Sequence, residues 1–461
     1  MDTTFSDNLK SEARYLDIAS NGNGMEKVLM TTEAISRMGR TGLQLMEIGP
    51  GGGASINALS NYLDEQSNND KIIARLSIVE MEKVESQSLK DAQTRFETYG
   101  ETTLHSANAV NLSEIFEPQS VDIISASAVL HEVYSYSGKY HGLNKCLRSI
   151  SSTLKPGGYF SYRDVYSVET QCLHDEAIQS YHSQSWLRFI KLFVPHYLND
   201  GVHPYHRDSD ELMISQDSQL VDASDINPES NALLSGPIGV MREIQRHYIT
   251  LRDYIWRSGT LGFKPELEGP GASDWLDVKN GHKRVHYTLN ESKLLTDSQR
   301  SLLISMSEPN DGKYVIDGDI FDSVTDTAMN AFLAEVVRGN KESTRLWGDW
   351  LEREGKETYA YMTLDQLIGS VAIRSLETNE HSTNIMLPER ASDVARMPRT
   401  YYNRFLEHRL SNPLFDGKQL VLFKKIPLAD VSAIQSSLEV VQKHCSRATM
   451  ASLYSLINTK V

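Results

Sequence analysis

Over residues 43–162 short apolar runs take turns with stretches whose apolar residues recur at helical spacing, the pattern of a βα repeat. Leu43, Leu45, Met46 and Ile48 predict a short buried strand, followed by a glycine turn and a helix that runs to about Gln66. Ala74–Met81 predicts a second strand whose last turn carries an acid, Glu80. Met81–Tyr99 reads as helix and Thr103–Ala107 as a third strand. Val121–Leu130 predicts a fourth strand entered by Asp122, and Leu147–Tyr162 predicts a helix, a Lys-Pro-Gly-Gly turn and a fifth strand. Upstream, the pattern predicts two helices, Asn8–Ser20 and Met25–Met38, parted by Asn21-Gly22-Asn23-Gly24.

No further strand follows promptly. Gln171–Tyr197 and Asn227–Phe263 read as helical, while residues 267–283 and 307–318, rich in Gly, Pro, Asp and Asn, read as loops. Strand character returns late, at Tyr402–Leu410 and more clearly at Lys418–Ile426, after Asp416-Gly417. Leu428–Ile457 closes the chain as an amphipathic helix, a surface for packing or for a homodimer. We find no internal repeat. The expected division is therefore residues 1–40 as N-terminal helices, 41–165 as a core, 166–345 as a large, mostly helical cap inserted into it, 346–427 as the end of the core, and 428–461 as the terminal helix. A separate second domain is the alternative to the cap; the late strands speak for the cap.

The chemistry concentrates at the first turn. Glu47, Gly49, Gly51, Gly52 and Gly53 run as E-x-G-x-G-G-G between strand and helix. Glycine lets the backbone turn sharply and lets a ligand lie against it, and the helix start adds unpaired N–H donors. Such a turn alone also fits an ordinary tight βα connection. Glu80, at the end of the second strand, is placed to accept hydrogen bonds from both hydroxyls of a ribose.

Taken together, the glycine turn, Glu80, the fourth strand and Leu154-Lys155-Pro156-Gly157-Gly158 resemble the class I S-adenosylmethionine-dependent methyltransferases, over about residues 35–165. The dinucleotide-binding Rossmann pattern G-x-G-x-x-G fits less well. The resemblance implies an α/β fold, a Rossmann-like doubly wound seven-stranded sheet, with S-adenosyl-L-methionine as cofactor. It implies cofactor contacts from Glu47, Gly49, Gly51, Gly53, Glu80 and Ala128, and by position from Asn108, which reads equally as a turn-forming residue. It places the lip of strand four, Leu130–Tyr136, between cofactor and substrate. His131 is there a candidate general base or a structural histidine, and Glu132 a second catalytic candidate. Tyr134, Tyr136, Arg163, Asp164 and, from the N-terminal helices, Tyr15 are candidate substrate contacts; Arg163 and Asp164 could equally pair with each other in a loop. The same fold also supports use of the cofactor without methyl transfer, releasing methylthioadenosine, and non-catalytic partner proteins that bind it.

Composition narrows the partners. With 46 Lys and Arg against 61 Asp and Glu, the formal net charge is −15, and no sustained basic run occurs, so nucleic acid is disfavoured as substrate in favour of a small molecule. The 3 cysteines (Cys146, Cys172, Cys445) give no disulfide framework and suit a reducing compartment. No apolar run approaches the ~20 residues that cross a bilayer, and the acidic start MDTTFSDNLKSEAR lacks a signal core. The expectation is a cytoplasmic protein away from membranes. His182, His196, His203 and His206 cluster in sequence, but without Cys or a carboxylate in ligand register, so no metal site is expected.

Overall fold

Strand β1 (Leu43–Ile48) is buried along nearly its whole length, as befits a central strand covered on both faces. In the computed structural model, residues 24–39, 41–66, 74–81, 86–164, 176–200, 212–266, 284–377, 383–394 and 418–460 are described. Around β1 run α1 (Gly24–Met38), α2 (Ala54–Gln66), β2 (Ala74–Glu80), α3 (Gln87–Phe96), β3 (Thr102–Ser106), β4 (Val121–Ser127), α4 (Leu130–Tyr136), α5 (Tyr140–Thr153) and β5 (Leu154–Asp164). After a long excursion come α6 (Leu364–Leu376), β6 (Asn384–Val394), β7 (Lys418–Pro427), α7 (Val431–His444) and α8 (Arg447–Lys460).

The seven strands form one sheet in the order β6-β7-β5-β4-β1-β2-β3. β1 through β5 pair in parallel. β7 runs antiparallel to both β5 and β6. The strand period of two divides side chains between the faces. On β7, Val421 and Phe423 join one core cluster with Leu147 and Ile150 of α5 and Ile368 and Val371 of α6. Leu420 and Leu422 join the opposite cluster with Ile35 of α1, Leu59 of α2 and Phe96 of α3. The reversal of direction at β7 ends the parallel run, and β1 and β4, the neighbours at the switch in strand order, place their C-terminal ends side by side. Ligands of open α/β sheets bind at such a point.

The Lys-Pro-Gly-Gly segment is part of β5. Asp122 is buried, accepts from the Gln44 N–H at 2.9 Å and pairs with Lys155 Nζ at 3.0 Å. A Cβ on Gly158 would lie 2.7 Å from the Asp122 carbonyl oxygen, so the close approach requires glycine there.

The chain divides into two compact units: Met1–Gln171 with Thr358–Arg396 and Gly417–Val461, and Cys172–Glu357 with Met397–Asp416. The first holds the seven-stranded sheet. The second enters after β5, so the chain leaves and rejoins the sheet unit. Its boundary lies later than expected. Lys341–Arg353 is a helix of the second unit, and the helix that precedes β6 is Leu364–Leu376.

Helices Gln184–Asp200, Ile238–Ser258, Gly318–Val337 and Lys341–Arg353 carry much of the second unit. Trp186 stacks on Tyr248 with ring centroids 3.9 Å apart, and Phe189, Phe193 and Trp350 pack in the same core. The unit also contains two four-stranded antiparallel sheets that helical periodicity did not reveal. Glu176–Tyr181 and Ala232–Pro237, inside stretches read as helix, are strands of the first. In the second, Ser307–Asn310 and Lys313–Asp317, read as loop, form a hairpin. Asp311 (φ 48°) and Gly312 (φ 74°) make its two-residue turn, both in the left-handed region that such hairpins require. The terminal segment is two helices, parted at Cys445-Ser446. Among the described residues, no helix is long and apolar enough to cross a membrane. The expected helix Asn8–Ser20, Tyr15, His203, His206, residues 267–283 and the expected strand Tyr402–Leu410 lie outside the described residues. His182 and His196 are exposed.

Candidate active site

The glycine turn is held by backbone geometry. Gly49 has φ 62°, Gly51 φ 56° and Gly53 φ 79°, all in the region that favours glycine. The Gly49 N–H donates to the Val79 carbonyl at 2.9 Å, which ties the turn to β2. A Cβ on Gly49 would lie 2.5 Å from Val129 Cγ2, and one on Gly53 would lie 2.7 Å from the Ala92 Cβ. At these two positions glycine therefore also serves close packing: Gly49 against the turn after β4, Gly53 against α3.

Glu80 closes over the same turn. Its Oε2 accepts from the Gly51 N–H at 3.3 Å and its Oε1 from the Met81 N–H at 2.9 Å. The carboxylate is thereby oriented at the C-terminal end of β2, half-buried. Glu47 is buried in β1, hydrogen-bonded to Ser125 and Ser55 and near Lys27; burial dominates and pushes its carboxyl up to about 7.

The turn from β4 into α4 forms the facing lip. Ala128 holds φ 57°, an uncommon conformation for a residue with a Cβ, and its N–H donates to the Arg163 carbonyl at 2.8 Å. Backbone strain of this kind concentrates at functional sites. Three residues on, His131 is 3% exposed, and its Nδ1 lies 2.7 Å from Asp164 Oδ1. A ring nitrogen of His131 and a carboxylate oxygen of Glu132 lie within 4.8 Å of each other. The Tyr359 ring lies 5.1 Å from the imidazole, centroid to centroid.

The structure separates residues that sequence alone could only place near one another. Arg163 and Asp164 lie on β5, not in a loop, and do not pair with each other, because neighbouring strand residues point to opposite faces. Asp164 meets His131. Arg163, also buried, donates from Nε to Glu26 Oε1 at 2.9 Å and so binds α1 to the sheet. Tyr134 sits in the core, with ring centroids 4.9 Å from Tyr140 and 5.8 Å from Tyr361, while Tyr136 is half-buried. Asn108 caps a short 3-10 turn, accepting from the Val110 N–H at 3.0 Å, and its Nδ2 approaches Ser137 Oγ at 3.5 Å.

Sequence reading missed Val129, Glu26 and Tyr361. Tyr361 donates its hydroxyl to Asp164 Oδ2 at 2.8 Å. It lies almost two hundred positions beyond its partner in sequence, after the second unit, so no local pattern could have paired them.

Strand order, glycine turn and the acid after β2 together define the class I S-adenosylmethionine-dependent methyltransferase fold. Residues 46–162 match the family model described as "Methyltransferase domain", and this stretch is a methyltransferase domain of that class. No curated protein matches the chain. Solved structures similar to it include the trans-methyltransferase CalH in complex with SAH (21% identity over 26% of this chain and 32% of that one, TM-score 0.21). They also include the citrinin polyketide synthase CMeT domain (14% identity, 46% and 53%, TM-score 0.25). A third is the N-methyltransferase NodS from Bradyrhizobium japonicum WM9 in complex with S-adenosyl-L-homocysteine (15% identity, 50% and 98%, TM-score 0.24). The chain spans about a third of the length of the first and about half of the second.

The residues present fit the cofactor of this class. Glu80 offers an already oriented pair of carboxylate oxygens to a ribose diol, and the start of α2 offers N–H donors to an anionic group.

Proposed function

We propose that the protein transfers the sulfonium methyl of S-adenosyl-L-methionine to a small organic acceptor, with His131 as the general base, in a biosynthetic pathway of secondary metabolism. The observation that carries this reading is the contact of two devices. The glycine turn packs through Gly49 on Val129, and two residues further along stands the buried His131–Asp164 pair.

A sulfonium methyl is already activated. The protein's task is to hold nucleophile, carbon and sulfur in line at near-contact distance. A base is required only where the acceptor arrives protonated, and a neutral imidazole whose Nδ1 is engaged by a carboxylate supplies one at its Nε2. Glu47, Gly49, Gly51, Gly53, Glu80, Asn108 and Ala128 would line the cofactor side. Glu132 and Tyr136 would face the acceptor, and Arg163 keeps α1 in place. The net negative charge and the lack of a basic run favour a small molecule over nucleic acid.

The test is incubation with methyl-labelled cofactor and a small-molecule extract, with mass spectrometry of products. S-adenosylhomocysteine together with a labelled small molecule is expected. Methylthioadenosine, or an untouched cofactor, would refute methyl transfer. With the acceptor known, His131→Ala should lower turnover roughly 10²–10⁴-fold at nearly constant cofactor affinity. The wild-type and variant pH–rate profiles should differ in shape, and an identical shape in the variant would end the base assignment.

A further inference from the structure

We infer that Tyr361 is a positioning residue that locks Asp164, and through it holds His131 in the tautomer protonated on Nδ1, leaving Nε2 as the proton acceptor. This deepens the proposed function and rests on its assignment of His131.

The inference follows from proton accounting along a buried chain. His131, Asp164, Tyr361 and Tyr162 are 3%, 1%, 1% and 1% exposed. His131 Nδ1 lies 2.7 Å from Asp164 Oδ1, and the Tyr361 hydroxyl donates to Asp164 Oδ2 at 2.8 Å. An ionised carboxylate only accepts, so Nδ1 must be the donor. Tyr361 spends its one O–H on Asp164. Its 2.8 Å contact with the Tyr162 hydroxyl therefore needs Tyr162 as donor, with Gln419 Oε1 standing 3.4 Å from the same hydroxyl. Polarised in series, each bond strengthens the next. Burial first, and the Asp164 charge second, hold both phenols well above their usual range, so they stay protonated donors.

The scaffold is built to keep this geometry. Tyr162 and Asp164 are two apart on β5 and share a face. Tyr361 is fixed independently, because the Tyr140 hydroxyl donates to its carbonyl at 2.7 Å and Tyr134 packs on its ring. Without the Tyr361 hydroxyl, the Asp164 carboxylate can turn about its terminal torsion, which is broad. The imidazole then loses the fixed acceptor that selects one tautomer. A third segment, reached only after Cys172–Glu357, thus completes an assembly begun by α4 and β5.

The test is nitrogen NMR of the full-length protein labelled with ¹⁵N-histidine, with His131→Ala identifying the resonances. The neutral imidazole of His131 should show the Nδ1–H pattern alone. In Tyr361→Phe, which keeps the ring and removes the hydroxyl, the two tautomers should mix. In Tyr162→Phe the change should run the same way and be smaller, and this variant serves if the first does not fold. Melting temperature and cofactor affinity, close to wild type in both variants, separate positioning from unfolding. An Nε2–H pattern in the wild type, or spectra in both variants identical to it, would overturn the inference. The spectrum needs no acceptor and no turnover, so its failure is distinct from a failure to form S-adenosylhomocysteine.

Discussion

The backbone N–H of Gly51 donates to Glu80 Oε2 across 3.3 Å, linking the turn after β1 to the end of β2. The acid that would hold a ribose is thus aimed by the loop that would cradle the rest of the cofactor. Glu80→Ala should weaken S-adenosylmethionine binding by roughly 1–3 kcal/mol, the worth of hydrogen bonds to a charged group. Gly51→Val should abolish it, because a β-branched residue resists φ 56°. Calorimetry checks both; a dissociation constant unchanged in Glu80→Ala removes that residue from the site.

Gly49 and Val129 form a steric pair. Gly49→Ala should destabilise the protein by about 1–3 kcal/mol, through strain at φ 62° and the 2.5 Å approach to Val129 Cγ2. Val129→Ala relieves the clash and leaves the strain. Denaturant melts of the double-mutant cycle should therefore show favourable coupling between the two changes; strict additivity would remove the contact from the account.

Glu47 should give stability a characteristic pH dependence. Its carboxyl is raised from 4.5 to about 7, so between these values the folded state holds a proton that the unfolded state has released. Stability should then fall as pH rises from 4.5 to about 7, by up to ~3 kcal/mol, and stay low above. Glu47→Gln keeps the shape without the charge. It should flatten this slope and melt higher than wild type at pH 8, as read by thermal melts across pH.

Arg163 and Glu26 test structural against substrate-binding roles. Glu26→Ala removes the carboxylate partner of a buried guanidinium and should cost roughly 3–5 kcal/mol. Adding Arg163→Met should restore much of the loss, measured by urea unfolding. If Glu26→Ala leaves stability intact and raises only the KM for the acceptor, the pair belongs to the substrate side instead.

The first five strands, the glycine turn and the late strand Lys418–Pro427 were legible because each rests on local rules. These are strand-length apolar runs, glycine where φ is positive, and an acid at a strand end. Asn384–Val394 was not, since its apolar residues do not alternate and Pro388 sits at a register shift against β7. In the second unit, Glu176–Tyr181 and Ala232–Pro237 escaped because they abut long helices whose periodicity dominates any window. The hairpin at Asp311-Gly312 did carry a signal, a two-residue turn, hidden by its polar flanks.

Along the chain, residue order determined which side chains stand at or just beyond the C-terminal ends of strands: Glu47, Glu80 and Asp164 near the ends of β1, β2 and β5, and His131 in the helix that follows β4. Tertiary structure decided what each of them meets. Arg163 and Asp164 are neighbours in sequence, yet the pleat sends one to Glu26 and the other to His131. Tyr361 completes the histidine's partner although Cys172–Glu357 of the second unit lies between them in sequence. Spacing along a backbone fixes the face a side chain takes, and only the packing of distant elements brings two such faces within hydrogen-bond reach.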